Sequence, residues 1–132
     1  MVAPQISGVS LGGQPVSLTE FRDRPTLITF WASWCGPCRQ EAPEIARVST
    51  GFGDRINILS INAGESPEDA RRGVSALQIS WPVVLDTTGQ IQSAYEVEGI
   101  PMVFVLDRQG VVRYRGHSMP TDVHRLLDGL VH

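Results

Sequence analysis

The two cysteines of this chain constrain its fold and its chemistry more than any other feature. Cys35 and Cys38 are the only cysteines among the 132 residues, and they lie three positions apart. An apolar run, residues 27–31, ends just upstream, and a helical pattern begins just downstream. Residues i and i+3 on the first turn of a helix lie about 5–6 Å apart at Cβ, which brings two thiols within reach of a disulfide. The pattern predicts two thiols that form and break a disulfide reversibly, at the point where a strand ends and a helix begins.

The two thiols are expected to differ in reactivity. Cys35 falls at or before the first helical residue, where free backbone N–H groups and the positive end of the helix dipole stabilise a thiolate. Its pKa should therefore lie below the free-cysteine value of about 8.5, with the sulfur at the solvent edge. Cys38 lies one turn further along, on the face that packs against the sheet, and should be buried and less acidic. We expect Cys35 to attack a substrate disulfide and Cys38 to resolve the mixed disulfide.

Three other uses of a cysteine pair fit the sequence less well. A structural zinc site needs four ligands, but outside the pair the histidines are only His117, His124 and His132. Covalent haem attachment needs a histidine directly after the second cysteine, and Arg39 occupies that position. A purely structural disulfide across so short a loop would add little stability. We therefore expect neither a metal nor an organic cofactor.

Length and charge limit the domain organisation and the partners. The length predicts one domain, residues 1–132, in which residues 1–25 form an N-terminal extension. The net charge of −3 and the scattered arginines argue against a nucleic-acid partner. No stretch approaches the roughly 20 apolar residues of a membrane span, and the N-terminus lacks a signal pattern. Two interpretations stay open: a cytosolic protein, or the mature domain of an exported protein whose signal or anchor has been removed.

Apolar periodicity predicts strands that alternate with helices. The run Thr26–Trp31 indicates a strand covered on both faces, followed by a helix that starts at the cysteine pair. Gly12-Gly13 predicts a turn in a small N-terminal hairpin, and Ser17–Glu20 has the spacing of a capping box. Further strands are predicted at Ile56–Ile61, Val83–Leu85, Met102–Leu106 and Val111–Arg115, and further helices after Ser66, around Ile91 and over Thr121–Val131. A strand, a crossover helix and a parallel strand form an α/β unit, whose ligand sites lie at the carboxyl ends of the strands.

The segment Trp34-Cys35-Gly36-Pro37-Cys38 resembles the active-site pentapeptide of the thioredoxin superfamily without any change. Three later segments are similar to the TlpA/ResA/DsbE-like branch of extracytoplasmic thiol-disulfide oxidoreductases, namely residues 62–66, 81–86 and 99–107. The likeness covers residues 8–131. It implies a thioredoxin-like three-layer sandwich of the α/β class, with a central mixed sheet, helices on both faces and the N-terminal hairpin as an extension.

Two departures from ordinary thioredoxin affect proton transfer. Thr29 stands where thioredoxin has a buried acid, and the chain contains no lysine, so the usual relay through an acid and a lysine cannot operate unchanged. Glu41 lies three residues after Cys38 on the same helix flank. A half-buried carboxyl there would have a raised pKa and could shuttle the proton of Cys38. Proteins of the ResA type are similar in carrying a glutamate at this place; the alternative is a solvated helix glutamate.

The resemblance also implies a substrate site beside the cysteines. Similar proteins have a cis bond at the position of Ile100-Pro101, facing the disulfide, which would leave the backbone groups of Ile100 free to pair with an extended substrate segment. The alternative is a plain turn. The short apolar rim opposite would consist of Trp34, Gly36 and Pro37. Glu65 matches the same branch, either as an active-site neighbour or as a capping acid.

These features predict an enzyme, a protein-disulfide reductase that exchanges electrons between its own dithiol and the disulfide of a protein substrate. By resemblance, the substrates would be exported proteins such as apocytochrome c, and a membrane thiol carrier would supply the electrons. The resemblance also favours a monomer that acts in the periplasm or another extracytoplasmic space, with or without a membrane anchor.

Other functions of the same fold stay open or are disfavoured. A general cytosolic thioredoxin and a metal-delivery or binding module of thioredoxin fold both stay open as alternatives. A thiol peroxidase is disfavoured because Cys35 lacks the Thr-x-x-Cys setting of that family.

Overall fold

The sheet that positions the cysteines is mixed and has seven strands. The computed structural model describes residues 1–132. The strands are β1 (Ser7–Ser10), β2 (Pro15–Ser17), β3 (Thr26–Trp31), β4 (Asn57–Ala63), β5 (Val83–Asp86), β6 (Met102–Leu106) and β7 (Val112–Gly116). The helices are α1 (Gly36–Phe52), α2 (Pro67–Leu77), α3 (Gln90–Ala94) and α4 (Val123–Val131), with short 3-10 turns at Leu18–Phe21 and Gly53–Arg55.

Strand β3 lies inside the sheet, and all six of its residues are buried. The strand order is β2-β1-β5-β4-β3-β6-β7. β3 pairs in parallel with β4 and antiparallel with β6, and β4 pairs in parallel with β5. Helices α1 and α2 connect the parallel strands, as predicted for strand, helix, strand units. Helix α1 therefore begins at the carboxyl end of a fully buried strand.

The residues of β3 alternate between two hydrophobic clusters, one on each face of the sheet. Ile28 and Phe30 pack in the cluster that includes Ile91 of α3. Leu27 packs in the other cluster, which includes residues of α1 and α4. Helices therefore cover both faces, which gives the three-layer thioredoxin-like arrangement that the resemblance implied.

The N-terminal segment forms the predicted hairpin, which pairs with the edge of the parallel strands at β5. β1 pairs antiparallel with β2 and also with β5, so the hairpin extends the sheet beyond β5. The predicted capping box is present, since the backbone N–H of Ser17 donates to the carboxylate of Glu20 at 2.9 Å.

Element boundaries follow the sequence pattern to within two residues: β5 ends one residue later than predicted, β7 begins and ends one residue later, and β4 begins one residue later. β4 continues to Ala63, two residues beyond the predicted end, because Asn62 and Ala63 pair with β5. α4 begins at Val123 rather than at Thr121, because the two residues before Val123 form a turn. No helix is both long enough and apolar enough to cross a membrane.

Gly73 allows α2 to pack closely against the segment before Cys35. A Cβ atom at this position would lie 2.8 Å from the ring of Trp31 and 2.9 Å from Cβ of Ser33. We expect Gly73→Ala to destabilise the protein by about 1–3 kcal/mol through overpacking, although alanine is the better helix former. Gly129→Ala in α4 is the matched control, because no atom outside its chain neighbours and its own helix backbone lies within 4 Å of the new Cβ, and it should stabilise by about 0.5–1 kcal/mol. Urea unfolding measures both values; equal stabilities would contradict the close packing.

Candidate active site

A disulfide joins Cys35 and Cys38 at the N-terminus of α1. Their Cα atoms are 5.3 Å apart, a usual separation for disulfides. Cys35 is the N-cap residue of the helix, and its Sγ accepts a hydrogen bond from the backbone N–H of Cys38 at 3.2 Å. Pro37 fits the first turn because no intrahelical partner is needed there. In the reduced protein, a thiolate at Cys35 would lie where helix N–H groups stabilise negative charge.

Both cysteines are covered in the disulfide form. Cys35 is 3% exposed and Cys38 is 4% exposed, so the expectation that Cys35 lies at the solvent edge is wrong for this form. The cause is packing, since both sulfur residues belong to a small apolar cluster with Trp31, against which Ile100 is packed. The residues of the predicted rim, Trp34, Gly36 and Pro37, are exposed next to the disulfide, as is Arg39. A partner would therefore meet the rim first.

The peptide bond between Ile100 and Pro101 is cis, as the resemblance implied. Ile100 packs against the cluster that contains the cysteines. Its backbone N–H and C=O make no hydrogen bond within the chain, although Met102, two residues later, is paired with Phe30 in the sheet. Ile100 thus presents unpaired backbone groups beside the disulfide, which is what strand addition by an extended peptide requires.

Glu41 lies in α1, three residues after Cys38, and is only 8% exposed. The two side chains line the same small cavity of about 10 Å³. Burial and the negative charge of Glu44 raise the pKa of Glu41 to about 7, and the backbone N–H of Met119 partly offsets this effect. Glu41 is therefore a buried acid next to the inner thiol rather than a solvated helix glutamate.

Thr29 belongs to a buried network of hydrogen-bonded side chains that the sequence pattern did not predict. Thr29 Oγ1 and Ser60 Oγ are 2.6 Å apart, and the indole N–H of Trp81 donates to Ser60 Oγ at 2.7 Å. All three residues line the cavity that also contacts Cys38 and Glu41. Ser60 accepts from the indole, and either hydroxyl of the Thr29–Ser60 pair can be the donor within that pair. The only sequence signal for Ser60 is a hydroxyl among the apolar residues of β4.

Glu65 holds the loop that precedes Cys35. Its carboxylate accepts hydrogen bonds from the backbone N–H of Ser33 at 2.7 Å, from the Ser33 hydroxyl, and from the side-chain amide of Asn62 at 2.9 Å. Burial alone would raise its pKa, but these donors hold the pKa of Glu65 below its usual value. The side chain of Ser66, rather than that of Glu65, caps α2. Glu65 is therefore a neighbour of the active-site loop, which it contacts two residues before Cys35.

The histidines are dispersed and do not join the cysteines. No group of three or more His, Cys, Asp or Glu side chains comes together in the chain. His117 Nδ1 lies 3.0 Å from the carbonyl oxygen of Pro101, whereas His124 stacks on Phe52. The groups gathered at the site are therefore two sulfurs, one buried acid, a pair of hydroxyls and the backbone of Ile100.

Comparisons with known proteins identify the family to which the chain belongs. Residues 1–115 match the model of the AhpC/TSA family. The chain is 31% identical over 114 residues to the thioredoxin-like protein YneN of Bacillus subtilis, covering 84% of this chain and 66% of that protein. It is 30% identical over 111 residues to the thiol-disulfide oxidoreductase ResA of the same organism, covering 83% and 62%. The chain thus spans less than two thirds of the length of these two relatives.

A solved structure extends the similarity to the whole chain. The thioredoxin domain of a thiol-disulfide oxidoreductase from Bacteroides vulgatus matches with a TM-score of 0.90 and 25% identity, over 100% of this chain and 96% of that domain. The sequence matches, the shared fold and the cysteine pair agree: this chain belongs to the AhpC/TSA family and, within it, to the TlpA/ResA/DsbE-like group.

Proposed function

We propose that this protein is a thiol-disulfide oxidoreductase that reduces protein disulfides with the dithiol of Cys35 and Cys38. The observation that carries the proposal is the position of the disulfide, which lies at the N-terminus of α1 and packs against Ile100, whose backbone is unpaired. A helix N-terminus makes a cysteine more acidic, and an unpaired backbone edge can hold an extended partner. The nucleophile and a docking edge for its substrate are thus adjacent.

The reaction transfers two electrons from the dithiol to the substrate. The Cys35 thiolate attacks one sulfur of the substrate disulfide, the substrate S–S bond breaks, and the released substrate thiolate takes up a proton. Cys38 then loses its proton and attacks Cys35 Sγ. The mixed disulfide breaks, the second substrate thiol is released, and the Cys35–Cys38 disulfide forms. The substrate gains two electrons and two protons, which the dithiol loses.

Glu41 accepts the proton of Cys38 in this scheme. It is the only carboxyl among the residues that line the cavity with Cys38. A pKa of about 7 allows its carboxylate to take a proton near neutral pH and to release it afterwards. Thr29 and Ser60 border the same cavity with neutral hydroxyls that bond to each other, so one hydroxyl hydrogen remains to donate there, but neither residue replaces the acid.

Substrate contacts are assigned to the two sides of the disulfide. On one side, Ile100 pairs with an extended segment of the substrate, and Pro101 follows it directly in the same loop. On the other side, the exposed rim lies under the approaching chain, and it consists of Trp34, Gly36 and Pro37. Glu65 contributes indirectly, since it contacts the loop before Cys35.

The similarity to the ResA group supports a more specific role. We propose that the substrates are exported proteins, such as apocytochrome c, and that a membrane thiol carrier returns the electrons. The protein would act as a monomer in the periplasm or another extracytoplasmic space. Efficient turnover of this protein by thioredoxin reductase would contradict this role and favour a general cytosolic thioredoxin.

Replacing each cysteine by serine tests the two-step exchange. The unaltered protein should accelerate the reduction of insulin by dithiothreitol, and Cys35→Ser should abolish this activity because the attacking sulfur is lost. Cys38→Ser should instead accumulate a mixed disulfide between Cys35 and insulin, because the resolving thiol is missing, and mass spectrometry under non-reducing conditions should detect it. Activity in Cys35→Ser, or inactivity of the unaltered protein, would contradict the proposal.

Replacing Glu41 by glutamine tests proton transfer from Cys38. In the unaltered protein the rate of disulfide exchange should rise as the pH passes through about 7, because Glu41 becomes ionised and can accept a proton. Glu41→Gln should lose this rise and react about 10- to 100-fold more slowly at pH 7.5. Stopped-flow tryptophan fluorescence between pH 5.5 and pH 9 gives the profile.

Glu44→Gln is the matched control for this profile. Glu44 is exposed and contributes a negative charge that raises the pKa of Glu41. Its removal should move the rise to lower pH and preserve it. A pH profile of Glu41→Gln identical to that of the unaltered protein would remove Glu41 from the mechanism.

A further inference from the structure

We propose that His117 is a positioning residue for substrate docking, an inference that rests on the proposed function. Nδ1 of His117 lies 3.0 Å from the carbonyl oxygen of Pro101, directly after Ile100. A carbonyl oxygen only accepts hydrogen bonds, so Nδ1 carries the hydrogen and donates it. The ring also lies near Gly99, the residue before Ile100, since a Cβ atom built on Gly99 would be 3.8 Å from His117 Cε1. One side chain thus bonds to the residue after the docking residue and lies near the residue before it.

The hydrogen bond continues the β6/β7 pairing beyond its last backbone pair. That pair joins Val103 to Gly116, and His117 is the next residue along the chain. Pro101 is buried, and a buried carbonyl without a hydrogen-bond partner is costly. Proline also has no backbone N–H, so Pro101 can form a backbone hydrogen bond only through its carbonyl oxygen. The imidazole of His117 supplies a donor where strand pairing has ended.

The segment that carries His117 is itself anchored to the rest of the fold. The hydroxyl of Tyr114 donates to the carbonyl of Ser118 at 2.6 Å. Met119 is 8% exposed and packs in the cluster that includes residues of α1 and α4. Its backbone N–H also faces the carboxylate of Glu41 and lowers the pKa of that group. His117 therefore connects the cis-proline loop to a fixed part of the molecule, although its own ring is exposed.

Fixing Pro101 limits how the adjacent peptide groups of Ile100 can turn. Strand addition needs the N–H and C=O of one residue in a single orientation, and ordering them before binding reduces the entropic cost of binding. Loss of the His117 hydrogen bond should therefore weaken docking of an extended protein segment more than it slows thiol exchange. The other two histidines do not share this role, because His124 stacks on Phe52 and His132 lies beside Asp128.

The experiment compares three variants with two disulfides. His117→Ala removes the donor, His117→Asn places a side-chain amide N–H near the position of Nδ1, and His124→Ala controls for the loss of an exposed histidine. KM and kcat are measured for the reduction of insulin, and the rate is measured with the small disulfide 5,5′-dithiobis(2-nitrobenzoic acid), which has no backbone to pair. Urea unfolding reports on the stability of each variant.

We expect His117→Ala to raise KM for insulin by about 3- to 10-fold, as the loss of one hydrogen bond predicts. Its kcat and its rate with the small disulfide should change by a smaller factor, and His117→Asn should restore most of the KM. An unchanged KM in His117→Ala, or equal losses with both disulfides, would overturn this inference alone if the unaltered protein reduces insulin. Failure of the unaltered protein to reduce insulin would overturn the proposed function, and this inference with it.

Discussion

The position of the cysteines depends on the burial of β3 between two layers of helices. All six residues of this strand are buried, and neighbouring positions pack on opposite faces. Each fully buried Leu, Ile or Phe side chain contributes about 1.5–3 kcal/mol, so the strand is costly to displace on either side. Cys35 follows four residues after the strand ends. The buried core therefore fixes the position of Cys35, while the rim residues Trp34, Gly36 and Pro37 are exposed to solvent.

Polar contacts add to apolar packing in holding the short connection between β3 and α1. Glu65 accepts two hydrogen bonds from Ser33, and the Arg39 guanidinium donates to the Ser33 carbonyl at 3.0 Å and 3.3 Å. Because the pKa of Glu65 is held below its usual value, its contribution to stability is present above pH 4.5 and is lost only as the pH falls through the lowered pKa. At neutral pH the loop before Cys35 is thus held from both sides.

Sequence patterns predicted the elements because β3 and β6 are apolar runs with clear ends, and their observed bounds equal the predicted ones. The site was less predictable, because its details depend on contacts between distant residues. Ser60 is 31 positions from Thr29 and 21 from Trp81, and only the register of the sheet places them together. The burial of Cys35 likewise depends on packing near Ile100, which periodicity does not encode.

The acid of this site lies on a helix rather than on the sheet, and this placement has a physical consequence. A pKa raised from 4.5 to about 7 means that Glu41 binds a proton more tightly in the folded chain, so its burial lowers stability as the pH rises across that range. Thr29 in the sheet avoids this cost, since its hydroxyl is neutral and paired with Ser60. Because Glu41 and Cys38 are three residues apart on one helix, helical geometry alone keeps them close. The carboxyl of Glu41 is therefore held beside Cys38 by the helix that carries both residues.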